Sequence, residues 1–178
     1  MDFGQLALAG KCFIGSTAAT GVDIPIYNAT AAHTAVLWNP QGSGVNLALN
    51  TLAVGQADAT TPAISGLALA FLLNTGSAVG TGAPVVTFTD ALVQNAIIGK
   101  GGNRARFGAA SISATALLMS LGLSQDSVTP GTQLDTSTFV FNGSVIVPQG
   151  ALVAVVGAPV AFGQAMVASI TWAEVPVS

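Results

Sequence analysis

Apolar residues along this chain recur in short runs with a period of two. From Val45 the sequence reads V-N-L-A-L-N-T-L-A-V: Val45, Leu47 and Leu49 alternate with small or polar residues, then the phase slips and Leu52 and Val54 continue it. A period of two sends one set of side chains to one face of a strand, and a one-residue slip is what a β-bulge produces. Residues 65–73 repeat the pattern with Leu67, Leu69, Phe71 and Leu73 on one face, and Met166, Ala168, Ile170 and Trp172 share another. Further strands are predicted at 34–38, 85–89, 139–141, 145–147 and 151–156. The intervening NPQGSG (39–44), NTGSAVGTGAP (74–84), TPG (129–131) and VPQG (147–150) supply turn chemistry.

Helix has little support, because Glu, Lys and Arg are too few to coat a solvent face. Residues 90–98 and 109–121 are the two segments that could each form a short helix, the first with Asp90 as N-cap and Gly99 as stop. Many short strands separated by turns predict an all-β, jelly-roll-like antiparallel β-sandwich with at most one or two short helices. No composition shift or fixed-period repeat divides the chain, so one domain over residues 1–178 is expected, with an extended N-terminal segment over about residues 1–30. The candidate core is Trp38, Leu47, Leu49, Leu69, Phe71, Ile170 and Trp172.

Composition changes this picture in one respect. Of the 178 residues 51% are hydrophobic, but only 6% are charged, against roughly 25% in an ordinary soluble domain. Eleven charges, four basic and seven acidic, must serve a surface that for a compact chain of this length is roughly 8,000 Å². Such a surface repels its own copies weakly, and the net charge of −3 adds little. A homo-oligomer, with a trimer as the leading case, is therefore expected. The acidic balance argues against nucleic acid as the main partner. The charge-free stretches are broken by Gly, Pro, Asn, Ser and Thr too often for a spanning helix, and residues 112–123 are too short for one, so no membrane span is expected. Cys12 is the only cysteine, which leaves no intrachain disulfide, and Asp2 stands where a signal peptide would carry positive charge.

Catalytic, metal and cofactor sites are not expected. His33 is the only histidine, and no Ser lies in a nucleophile-elbow sequence. The acids Asp2, Asp23, Asp58, Asp90, Asp126, Asp135 and Glu174 are scattered singly, although Asp126 and Asp135 flank one loop and could meet. One charge cluster stands out: GKGGNRAR (99–106) holds Lys100, Arg104 and Arg106 but lacks the Gly and Ser/Thr of a phosphate-binding loop. It reads either as a basic finger docking on an acidic neighbour or packaged nucleic acid, or as an exposed hairpin tip with Arg106 paired to a carboxylate. With Phe107 beside it, the set Lys100, Arg104, Arg106 and Phe107 is the candidate partner-binding site. The sequons at Asn28 and Asn142 are taken as chance.

Two stretches resemble small structural proteins of tailed bacteriophages. Leu37-Trp38-Asn39-Pro40-Gln41-Gly42-Ser43-Gly44 resembles a W-N-P-x-G-S-G segment leading into a strand. Val147-Pro148-Gln149-Gly150 and Ser169-Ile170-Thr171-Trp172-Ala173-Glu174-Val175-Pro176 are similar to a P-x-G hairpin and a closing W-x-E-x-P strand. The resemblance covers about a tenth of the chain. It implies a jelly roll or related sandwich, trimeric or otherwise symmetric, on the outside of a capsid or on a tail. The expected function is thus a virion structural protein, a capsid decoration or cement subunit, located in the virion and partnered by itself and by a major capsid or tail protein. Two alternatives stand beside it: a receptor-binding or fibre-tip domain using the loops 74–84 and 124–138, and an ice- or surface-binding protein using flat Thr and Ala faces.

Overall fold

The alternating runs are strands, and the punctuation between them is where the chain turns. A computed structural model describes residues 2–26, 32–57, 66–72, 85–112, 117–124, 136–158 and 165–177. In chain order the elements are α1 (Phe3–Leu8), β1 (Cys12–Ser16), β2 (Val22–Asp23), β3 (Ala32–Trp38), β4 (Val45–Gln56), β5 (Gly66–Leu72) and β6 (Val85–Asp90). They continue with β7 (Leu92–Asn95), β8 (Arg106–Ile112), β9 (Leu117–Ser124), β10 (Thr136–Val140), β11 (Ile146–Val147), β12 (Leu152–Ala158) and β13 (Ala165–Pro176).

Two antiparallel sheets pack face to face. The first runs β10-β4-β13-β1-β7, with β11 added to β4 and β2 to β13; the second runs β6-β8-β3-β12-β5-β9. Set the short β2 and β11 aside with β6, β7 and β8, and the sheets read β1-β13-β4-β10 and β3-β12-β5-β9. Taking these eight strands in chain order, the sheet orders are first-eighth-third-sixth and second-seventh-fourth-fifth, the two interlocked Greek keys of a jelly roll. The insertion β6–β8 lengthens both sheets on one side. The chain leaves the second sheet at Asp90 and enters the first at Leu92, and Ala91 N–H donates to the Phe107 carbonyl (2.8 Å) at the crossing. One continuous segment therefore closes that side of the sandwich.

The phase slip in β4 is a bulge. Thr171 pairs with Thr51 but Trp172 with Leu49, leaving Asn50 as the extra residue, whose carbonyl accepts the N–H groups of Phe141 (2.7 Å) and Asn142 (3.2 Å). Because the bulge absorbs one residue, Val45, Leu47, Leu49, Leu52 and Val54 all face the core and are buried. Leu69, Ile170 and Trp172 join them, and Phe71 packs half-buried at the margin. Trp172 stacks on Phe13 (ring centres 6.0 Å apart). Trp38 does not belong to this core. Ala35 and Leu37 are the inward residues of β3, so Val36 and Trp38 point to the reverse face, where Ala68, Ala70, Leu152, Ala154 and Val156 form a second buried layer.

Three expectations are corrected. Residues 90–98 are not a helix: Asp90 ends β6, and β7 follows with Val93 facing the core. Residues 109–121 belong to β8 and β9 where they are described, since pairing with β3, β6 and β5 outweighs the local helical spacing. The N-terminal segment holds a helix and a paired strand. Asp2 Oδ1 accepts the Gln5 N–H (2.9 Å) to cap α1, and β1 lies between β13 and β7. The predicted turns 74–84 and 129–131, Leu73, and the pair Asp126 and Asp135 lie outside the described residues. Among the described residues no helix is long and apolar enough to cross a membrane.

Candidate functional site

The basic cluster is bound down along its length. Glu174, near the end of β13 and 4% exposed, accepts the backbone N–H groups of Arg104 (2.6 Å) and Ala105 (2.9 Å) through Oε1. Arg104 Nη1 donates to the Ser43 carbonyl (2.8 Å). The Lys100 side chain lies across Gly10, where an added Cβ would fall 2.7 Å from Nζ. These contacts frame a polar recess of about 180 Å³ lined by Gly10, Lys11, Gly44, Gly102, Arg104 and Glu174.

Arg106 goes elsewhere. It forms a two-pronged pair with Asp90 (2.8 and 2.7 Å) and lies over the rings of Phe88 (4.5 Å) and Trp38 (5.5 Å). The hydrogen bond from Arg106 holds the Asp90 carboxyl below the usual carboxylate range. The carboxylate pairing expected for Arg106 is thus what the fold provides. Phe107 is removed from the candidate site altogether: it is the inward residue of β8, wholly buried and packed against Gly15 of β1, so no partner can reach it. The four residues therefore split three ways, with Lys100 and Arg104 at the recess, Arg106 on the reverse face of the second sheet and Phe107 in the core.

The turn motifs at 39–44 and 147–150 meet in space. Asn39, wholly buried, donates through Nδ2 to the carbonyls of Val45 (2.8 Å) and Val147 (3.0 Å), while its Oδ1 accepts from the Ser43 hydroxyl (2.6 Å). Gln149 Oε1 accepts the Gly44 N–H (3.2 Å). The 39–44 and 147–150 turns are thus stitched together at the end of the sandwich where Glu174 clamps the loop. Asn39, Ser43, Gln149 and Glu174 thus each fix one backbone segment against another. Among the described residues no three of His, Cys, Asp and Glu gather to hold a metal. His33 is wholly buried in β3. Cys12 is buried under α1 against the Phe3 carbonyl (3.6 Å), and desolvation raises its thiol pKa. Asn142 (φ 49°) and Gly143 (φ 80°) form the tight turn between β10 and β11; Asn28 lies outside the described residues.

The surface that sequence reasoning did not single out is the outward face of the first sheet. Register places Val140, Thr51, Thr171, Ile14 and Gln94 in one row, and Thr138, Ala53, Ser169, Ser16 and Leu92 in the next. Thr136, Gly55 and Val167 begin a third. None of these positions is charged. Leu92, Val140 and Ile14 are 71%, 61% and 41% exposed, and the Thr51 and Thr171 hydroxyls are bonded to each other (2.6 Å). At one end the face is bounded by α1, which packs Leu6 over Cys12, Ala48 and Ala173. A groove of about 540 Å³ runs beside the helix between Phe3, Leu6, Ala48, Asn142 and Val175. The alternation visible in β4 and β13 held the signal for this face, but pairing register was needed to align it across five strands. Comparison with known protein families, curated proteins and solved structures finds no match to this chain.

Proposed function

We propose that this protein is a structural subunit of a virus particle, a capsid-decorating or cement protein that works as a symmetric oligomer. The observation that carries this reading is the set of uncharged rows on the outward face of the β10-β4-β13-β1-β7 sheet, with Asp23 of β2 at their edge beside Ala165. A solvent-facing sheet surface usually carries Lys and Glu, which keep copies apart. Here about three rows on five strands, spaced ~4.8 Å across and ~6.8 Å along, give a patch of about 400 Å². That is about half of what one partner gives to a standard stable interface. A patch of this size suits a subunit whose affinity is multiplied by several simultaneous contacts on a shell, rather than a free-standing dimer. The clamped turns at Asn39 and Glu174 support the same reading, since they stiffen the end of the sandwich and offer no reactive group. The phage resemblance of those turns supplies the virion context.

Light scattering behind a sizing column tests the assembly. The wild-type chain should run as a closed oligomer, a trimer being expected, and Ser169→Lys, which puts a charge in the middle of the face, should run as a monomer that still melts cooperatively, at a lower temperature because association no longer stabilises the folded chain. A wild-type monomer at all concentrations refutes the oligomer. Mass spectrometry of gradient-purified particles then tests the virion role, with a fixed ratio of this chain to shell protein as the expected result.

The regular Thr, Ser and Ala rows of the same face favour one second reading, a surface- or ice-binding protein. Thermal hysteresis measured on the purified monomer decides it: a zero value removes that reading.

A further inference from the structure

Three of the four basic residues converge on one end of the sandwich. Lys11 and Arg104 line the 180 Å³ recess, and Lys100 lies against Gly10 on its rim. Among the described residues none of the three has an ion-pair partner; Arg106 with Asp90 is the only salt bridge. The one acid in the recess is Glu174, whose Oε1 is taken up by two backbone N–H groups. Among the described residues at the recess, three cations face one carboxylate, in a chain whose net charge is −3. In a chain this poor in charge, such a local excess of positive charge draws anionic groups to the recess.

We propose that the recess of Lys11, Lys100 and Arg104 is a docking site for an acidic segment of a partner protein, receiving one Asp or Glu side chain at a time. The inference rests on the assembly reading and names the chemistry of a contact separate from the uncharged sheet face. Size selects the ligand. About 180 Å³ is below the range of pockets that enclose small metabolites but accommodates a single side-chain carboxylate. Arg104 gives one donor to the Ser43 carbonyl and keeps the rest of its fork for a carboxylate. Gly10 and Gly44, both with positive φ (69° and 72°), make room for the Lys100 and Arg104 side chains, while Gly102 (φ 104°) faces open space where a partner's backbone can approach. A nucleic-acid strand fits less well, because three cations neutralise few phosphates and the chain's net charge of −3 repels a long polyanion.

The test uses the full chain and a fluorescein-labelled, acetylated hexaglutamate peptide, read by anisotropy. Binding should weaken as salt rises from ~30 to ~300 mM and the screening length shortens. Lys11→Gln with Lys100→Gln should weaken it about tenfold, the loss of two charge-assisted contacts. The charge-matched control Thr20→Asp with Ser120→Asp, in the turn after β1 and on β9, away from both the recess and the uncharged sheet face, should bind as wild type does. All four positions are exposed, so each variant is expected to fold. Equal losses in the two double variants would overturn the site, reducing it to a net-charge effect. Tighter binding of a hexathymidylate strand than of hexaglutamate would overturn the choice of partner. If hexaglutamate fails to bind while the wild-type chain keeps its oligomeric mass, the docking site falls and the assembly reading stands. A wild-type monomer that still binds hexaglutamate removes the assembly reading and leaves the docking site in place.

Discussion

Gly15→Ala is the sharpest probe of how the two sheets meet. Gly15 is the inward residue at the middle of β1, facing Phe107 of β8 across the sandwich. A Cβ built at Gly15 would lie 2.5 Å from Phe107 Cγ, 2.8 Å from its Cβ and 2.9 Å from its Cδ1. Carbon atoms rest about 3.5–4.0 Å apart, so roughly 1 Å must be found. The contact is at the root of the ring rather than its tip, and Phe107 is wholly buried, so no rotamer can supply that space. One sheet has to shift, which places the strain at the upper end of the overpacking range, about 3 kcal/mol. Alanine restricts the unfolded chain more than glycine does and returns about 0.4–1 kcal/mol. The net cost should be about 2 kcal/mol, read from urea melts followed by tryptophan fluorescence. Phe107→Ala alone should cost about 3–5 kcal/mol; it removes the obstructing Cγ and Cδ1 but keeps the Cβ at 2.8 Å, now beside a cavity into which the strands can relax. Adding Gly15→Ala to it should then cost about 1 kcal/mol, giving a favourable coupling of about 1 kcal/mol. Equal costs of Gly15→Ala in both backgrounds would refute the close approach of β1 and β8.

Two further outcomes follow from the same core and its margin. Trp172→Ala should cost about 3–5 kcal/mol. Trp172→Phe, which removes an indole N–H that has no partner among the described residues, should cost under about 1.5 kcal/mol; a loss below about 1 kcal/mol for the alanine variant would place Trp172 at the surface. Because Arg106 depresses the Asp90 pKa in the folded state, the pair's contribution is present above the unfolded value, about 3.9, and is lost as pH falls through the lower folded value. The Asp90 side chain is 58% exposed, so the difference between wild type and Asp90→Asn should be at most about half a kcal/mol near pH 6 and should shrink as pH falls below the unfolded value in acid-series melts; a difference unchanged at low pH would count against the pair as its source.

Much of the sandwich was legible in the sequence because period-two alternation survives wherever one face of a strand is buried. The slip between Leu49 and Leu52 located the Asn50 bulge, and Met166 to Trp172 gave the inward row of β13. The misread segments are those whose conformation is set by distant partners. DALVQNAII has spacing compatible with a helix, yet it spans the crossing between sheets, where Ala91 is fixed by the Phe107 carbonyl. The α1 signal was present and local: Asp2, with Gln5 three residues on, is the spacing of a cap. The recess was only half legible. Lys100 and Arg104 stood out as a cluster, whereas Lys11 and Glu174 join them only through folding, across about ninety and seventy residues of chain. Phe107 was misjudged because its neighbours are charged; in a strand, adjacent residues face opposite ways.

The place of β13 has a bearing on how the molecule is made. The strand synthesised last among those described is not an edge strand: it is inserted between β4 and β1 and joins the two halves of its sheet. Until it emerges from the ribosome, β1 and β4 each present an unpaired edge, and Phe13, Leu47 and Leu52 have no lid. Such exposed edges invite pairing with other nascent copies, and a sheet completed by so distant a pairing closes slowly. The few charges near these strands, such as Lys11 and Asp23, give little electrostatic protection to so apolar an intermediate. A chain with this topology should therefore depend on holding factors during synthesis, and ribosome-stalled chains ending before residue 165 should sediment as aggregates while those extended beyond residue 177 by a linker do not.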